Sequence, residues 1–134
     1  MSRSEAEPGM SANVIFCDDI RIEETGKQLL IGVYPNGIAL AGILPSVIRI
    51  VAWLQVFGLK AGDHELVLTL TPPRGASATQ KAWTTIEAPE LAVVPLLEPF
   101  ELYADAFGDI EATLSVDAGP GQKIGSINLA PAIL

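Results

Sequence analysis

Short runs of strand-forming residues, each closed by a turn that contains glycine or proline, recur along this chain about every 8–12 residues. The clearest run is His64–Thr71 (HELVLTLT), in which leucines alternate with mostly polar residues until Pro72-Pro73-Arg74-Gly75 ends it. Such alternation places the leucines on one face of a strand. No window shows sustained helical periodicity. The pattern therefore predicts an all-β protein, an antiparallel β-sandwich of about seven to nine strands that is immunoglobulin-like or related.

The strongest predicted strand is Val47–Phe57 (VIRIVAWLQVF), which is rich in β-branched and aromatic residues. One face of it is entirely apolar and consists of Ile48, Ile50, Ala52, Leu54 and Val56. The opposite face is mixed and consists of Arg49, Val51, Trp53, Gln55 and Phe57. We expect the first face in the core and the second to be a half-covered surface, on which Trp53 is a candidate binding residue.

The segment Asn13–Tyr34 (NVIFCDDIRIEETGKQLLIGVY) predicts a β-hairpin. Its strands are expected at Val14–Glu23 and Gln28–Tyr34, and Thr25-Gly26-Lys27 supplies the glycine of the turn. The charged run Asp18-Asp19-Ile20-Arg21 lies in or at the end of the first apolar strand, where charge is unusual.

Strand alternation sends Asp18 and Asp19 to opposite faces, so the two carboxylates are not expected to share one site. Asp19 and Arg21 share a face and are expected to pair. These three residues are candidate binding residues together with Trp53. The same charges also fit a strand-end pair that protects an edge.

The chain has 134 residues, which predicts one domain, and we expect residues 1–12 to form a disordered leader before a single domain at 13–134. Hydrophobic residues make up 49% and charged residues 18%, against about 25% charged in typical domains. This composition suggests that a protein partner or a second copy covers some apolar surface, so a homo-oligomer is one expectation.

The net charge is −8, and the few basic residues do not cluster. Binding to nucleic acid or to an anionic membrane surface requires a basic footprint, so neither is expected. The stretch Gly37–Leu59 is interrupted by Pro45 and Arg49 and is too broken for a membrane helix.

Cys17 is the single cysteine and His64 the single histidine. A lone cysteine in an apolar stretch fits a reducing, cytoplasmic location and a buried hydrophobic role. We expect His64 to be exposed near a loop. The sequence offers no complete catalytic or metal-binding set, so we expect no enzyme activity, no metal and no cofactor.

Two alternatives to a protein-interaction module stay open. A ligand-binding module would take calcium at the acidic set Glu98, Glu101, Asp105 and Asp109, of which the loop 105–109 supplies two, or carbohydrate on an aromatic platform. The platform would consist of Tyr34, Trp53, Phe57 and Trp83. A carboxylate-based hydrolase is the other alternative, and it requires two carboxyl groups that face one cleft.

The Phe-Cys-Asp-Asp-Ile-Arg run, the later Gly-Val-Tyr run, the Leu44-Pro45 step and the strand containing Trp53 resemble a family of small uncharacterised bacterial proteins. The stretch from Gly62-Asp63-His64 to Pro72-Pro73-Arg74-Gly75 fits the same pattern, and the resemblance extends from about Asn13 to Leu129. It implies an all-β sandwich and carries over no catalytic or ligand residues.

Overall fold

A computed structural model describes residues 9–132 of the chain, and these residues form ten β-strands and no helix. The strands are β1 (Ser11–Cys17), β2 (Asp19–Ile22), β3 (Gln28–Ile31), β4 (Gly37–Leu40), β5 (Ser46–Phe57), β6 (Gly62–Thr71), β7 (Ala78–Ile86), β8 (Phe100–Ala104), β9 (Gly108–Val116) and β10 (Gln122–Pro131).

Two sheets pack face to face, with strand order β1-β5-β8 in one and β4-β10-β9-β6-β7 in the other. Strands β2 and β3 form a separate two-stranded ribbon. The predicted all-β, sandwich-like fold is confirmed. Ten strands form where about seven to nine were expected, and β4 pairs with β10 in parallel rather than antiparallel.

The core lies between the inner faces of the two sheets. The predicted inner face of β5 is buried along its whole length, and the leucines of β6 pack opposite it from the second sheet. Each large aliphatic side chain that becomes fully buried stabilises the fold by roughly 1.5–3 kcal/mol. The alternation visible in the sequence is therefore the main determinant of the sandwich.

The predicted N-terminal hairpin is only partly correct. The first expected strand is divided at Asp18, and its first half, β1, pairs along its whole length with β5 instead of β3. Only β2 and β3 pair as a hairpin. The division occurs because the Asp18 amide donates to the carbonyls of Ile31 and Gly32, at 2.9 and 3.2 Å. This contact redirects the chain out of the sheet.

Residues 10–12 do not belong to the leader that was expected at residues 1–12. Residues 1–8 lie outside the described residues, but Met10 is buried in the core and Ser11 and Ala12 begin β1. The domain therefore begins before Asn13. No helix in residues 9–132 is long and apolar enough to cross a membrane.

Candidate functional site

The β2–β3 ribbon is anchored to the outer face of β5 by Trp53. The indole Nε1 of Trp53 donates a 2.7 Å hydrogen bond to Oε1 of Gln28 on β3. Ile20 and Leu30 are directly paired across the ribbon and are each partly buried. Because an isolated two-stranded ribbon is marginal in water, this anchorage contributes to holding it in place. Trp53 thus has a structural role in addition to any binding role.

Asp19 and Arg21 pair as predicted. Arg21 Nε donates to Asp19 Oδ2 at 2.9 Å, and both side chains are exposed. This hydrogen bond from Arg21, the largest of several causes, holds the pKa of Asp19 below its usual value. An exposed pair of this kind contributes little to stability, so its effect is to leave the surface around it electrically neutral.

Asp18 is directed elsewhere and forms a junction between three elements. Its Oδ1 accepts a 2.6 Å hydrogen bond from the hydroxyl of Tyr34, and its carbonyl accepts one from Arg49 Nη1 on β5 at 2.9 Å. The bond to Asp18 raises the pKa of Tyr34 to about 12. Asp18 and Asp19 therefore do not share one site, which agrees with the prediction from strand alternation.

The outer surface of the ribbon is defined by four residues that the strand register places side by side. Asp19 is opposite Ile31, and Arg21 is opposite Leu29. Leu29 is 51% exposed and Ile31 38% exposed. We call these four residues the ribbon face. It consists of two exposed aliphatic side chains beside a mutually neutralised ion pair.

A groove of about 640 Å³ lies beside β1, and we call it the β1 groove. Its walls are Asn13–Phe16 of β1, Trp53 and Gln55 of β5, residues 33–36, and residues 124–127 of β10. None of the described residues that line it is charged. Nδ2 of Asn13 donates to Oε1 of Gln55 at 3.2 Å, which orients two amides at its rim.

The aromatic platform predicted for carbohydrate does not form as a unit. Trp53 and Tyr34 both border the β1 groove, but Trp83 and Phe57 are not among its lining residues. Trp83 lies on β7, in the other sheet, and is 71% exposed.

His64 is buried rather than exposed, which corrects the expectation from the sequence. Its Nδ1 lies 2.7 Å from Oδ2 of Asp117, and its Nε2 lies 2.7 Å from the carbonyl oxygen of Lys60. Oδ1 of Asp117 also accepts from the amide of Glu65 at 2.9 Å. The alternation HELVLTLT places His64 on the same face as Leu66, and this signal could have revealed its burial.

The electrostatics of these buried groups are those of structural residues. Partial burial of Asp117 raises its pKa, but the hydrogen bonds from Glu65 and His64 outweigh burial, and the net pKa is lowered. Burial raises the pKa of the Cys17 thiol, which makes it a poor nucleophile. Cys17 is thus the small buried residue that the sequence predicted.

The carboxylates of the acidic loop have separate protein partners. Asp105 lies 3.4 Å from Arg74 Nε, and Asp109 accepts a 3.0 Å hydrogen bond from Asn128. Within residues 9–132 no group of three or more His, Cys, Asp or Glu side chains is arranged to hold a metal ion.

Two carboxyl-bearing residues, Asp19 and Glu98, border one concavity of about 310 Å³ between the ribbon and β5. The Asp19 carboxylate accepts a hydrogen bond from Arg21, and its lowered pKa keeps it ionised at neutral pH. A glycosidase pair uses one protonated and one ionised carboxyl group, and the ionised Asp19 carboxylate is already hydrogen-bonded to Arg21.

The chain matches no protein-family model, no curated protein and no solved structure. The resemblance to the bacterial family accordingly stays a prediction.

Proposed function

We propose that this protein is a non-catalytic module that works by protein–protein contact, as an interaction or structural component. The observation that carries the proposal is the ribbon face, on which Leu29 and Ile31 stand exposed beside the Asp19–Arg21 pair. The partner would be another protein or a second copy of this chain.

The aliphatic part of the ribbon face favours burial by a protein partner. Covering a half-exposed Leu or Ile recovers about half of the roughly 1.5–3 kcal/mol that full burial gives. The Asp19 carboxylate already has its arginine partner, so a covering surface need not supply an opposite charge. Arginine and apolar side chains at the centre of a patch are typical of interfaces.

Two further aliphatic side chains near the ribbon are exposed, although strand alternation turns Ile22 to the opposite side from the ribbon face. Ile22 at the end of β2 is 53% exposed, and Val33 just beyond β3 is 45% exposed.

We place the protein in a reducing, cytoplasmic setting, because its single thiol is buried and forms no disulfide.

The test compares wild-type protein with the double variant Leu29→Glu/Ile31→Lys, which leaves the net charge unchanged. Sedimentation velocity over a concentration series reports self-association, and affinity capture with quantitative mass spectrometry reports other partners. The double variant is expected to lose the association and keep the wild-type midpoint of urea unfolding, since both side chains are exposed.

Leu91→Glu is the matched control, because Leu91 is 65% exposed but lies in the loop between β7 and β8. It is expected to behave as wild type. The proposal would be overturned by two results together. The wild-type protein would sediment as a strict monomer, and it would capture no partner more strongly than the double variant does.

A further inference from the structure

Strand β1 is an edge strand that lacks the features by which natural proteins protect such edges. It forms one end of the β1-β5-β8 sheet, and its sequence SANVIFC contains no charge, proline or glycine. The other edge strands differ: β7 carries Lys81, β8 carries Glu101, and β4 has only four residues. Charges and short length prevent unwanted strand pairing, so β1 is the edge most open to it.

The hydrogen bonds at one end of β1 show which of its backbone groups point outward. The carbonyl of Phe16 accepts from the Tyr34 amide at 2.9 Å, and the Asp18 amide donates to the segment 31–32. Both groups therefore point away from β5. In a strand this orientation repeats every second residue, so the N–H and C=O groups of Val14 and Ala12 also point outward.

This outward edge has no backbone partner within residues 9–132 at Ala12 and Val14, because β1 pairs there only with β5 on its other side. The β1 groove lies along the same edge. The segment at Tyr34 already extends the sheet next to Phe16 and closes one end of the groove. The remaining open length, Ser11–Ile15, spans about 17 Å in an extended chain.

The β1 groove has one mainly apolar wall and one wall of aromatic and amide groups. An added strand has two faces, and each face would contact one of these walls. Residues 124–127 of β10, with Ile124 and Ile127, form a mainly apolar wall toward the core. Trp53, Gln55 and Asn13 form an aromatic and amide wall on the outer face of the sheet. Successive side chains of an extended peptide point to opposite sides and would contact these walls alternately.

We propose that the free edge of β1 binds an extended, uncharged peptide segment of about five residues by strand addition. Backbone hydrogen bonds to Ala12 and Val14 supply affinity. Alternate side chains of the peptide supply specificity, with aliphatic residues toward β10 and amide or aromatic residues toward Trp53.

A single peptide segment fits this site better than β1 of a second copy. Residues 124–127 of β10 lie along one side of the edge, and residues 33–36 close one end of it. A strand that is part of a sheet would bring its own β5 and ribbon against those walls. This site is separate from the ribbon face, so either proposal can fail without the other.

The probe is a phage-displayed library of random 12-residue peptides, selected on the full-length protein. A selected peptide is then synthesised with a fluorophore, and its affinity is measured by fluorescence anisotropy. Two further versions carry N-methyl groups on alternate backbone amides, one version in each of the two registers. Strand addition predicts that one version loses at least tenfold in affinity while the other stays within about twofold.

The variant Ala12→Pro tests the protein side of the same contact. Proline has no backbone N–H. The N–H of residue 12 points away from β5, so its loss removes no hydrogen bond within the sheet. Peptide affinity is expected to fall about fivefold to tenfold with an unchanged circular dichroism spectrum. Leu29→Glu/Ile31→Lys is expected to bind the peptide as wild type does.

Equal loss of affinity in both N-methyl registers would overturn strand addition, and this result does not depend on any variant folding. Failure of the library to enrich any peptide would also overturn it, as would binding of a neutral glycan panel in place of peptides.

Discussion

At the scale of single residues, the contact that most needs explanation is the buried His64 between Asp117 and the carbonyl of Lys60. The Asp117 carboxylate lies 2.7 Å from one ring nitrogen, and the Lys60 carbonyl oxygen lies 2.7 Å from the other. Asp117 also holds the amide of Glu65 and has a positive φ of 52°, a conformation that Asp and Asn tolerate best. This clamp fastens the start of β6 to the turn between β9 and β10.

We predict that Asp117→Asn destabilises the protein by about 1–2 kcal/mol, since it removes the charge while keeping the backbone preference. Because the folded state holds the pKa of Asp117 below its unfolded value, the carboxylate stabilises the fold above about pH 4. That contribution is lost as the pH falls through the folded pKa. Urea unfolding from pH 7 to pH 3 should therefore show the wild-type and variant midpoints converging at low pH. A constant difference over this range would contradict the assignment.

At the scale of elements, the close approach of Asp18 and Gly32 positions the ribbon together with the hydrogen bond from Trp53 to Gln28. Gly32 has a positive φ of 69°, and a Cβ at this position would collide with the Asp18 carboxylate. The same carboxylate is fixed by the Tyr34 hydroxyl. Glycine is therefore required at this position both by its backbone conformation and by the space that Asp18 occupies.

We predict that Gly32→Ala destabilises the protein by about 2–3 kcal/mol, of which roughly 1 kcal/mol is the backbone cost of a positive φ. Gly26→Ala is the matched control, because Gly26 also has a positive φ but has nothing within 4 Å of an added Cβ. Equilibrium denaturation measures both variants. Equal losses for the two would show that the contact with Asp18 does not hold the ribbon.

The same elements show how far the sequence could predict the structure. The inner face of β5 and the leucines of β6 were predictable, because burial follows the period of two along each strand. The pairing of β1 with β5 was not, because pairing between distant segments depends on the whole core and leaves no local pattern. The Asp19–Arg21 pair is a local contact and was predicted, whereas the bond from Trp53 to Gln28 joins distant segments and was not.

At the scale of the whole molecule, the sandwich presents two surfaces of different character on the side of β1 and the ribbon. The ribbon face offers exposed aliphatic side chains, while the β1 groove follows an edge whose outward groups at Ala12 and Val14 have no backbone partner within residues 9–132. The net charge of −8 makes copies of this protein repel one another, which opposes non-specific association. Both proposed contacts with partners lie on this side of the molecule.

The central claim, that the ribbon face meets a protein partner, is tested most directly by a photo-crosslinking amino acid placed at Leu29 in the protein's native cells. The account predicts one discrete crosslinked adduct from position 29. It predicts none from the same amino acid at Leu91, which is exposed in the loop between β7 and β8 and is not part of the ribbon face. An absence of adducts at both positions, or the same adducts at both, would contradict the claim.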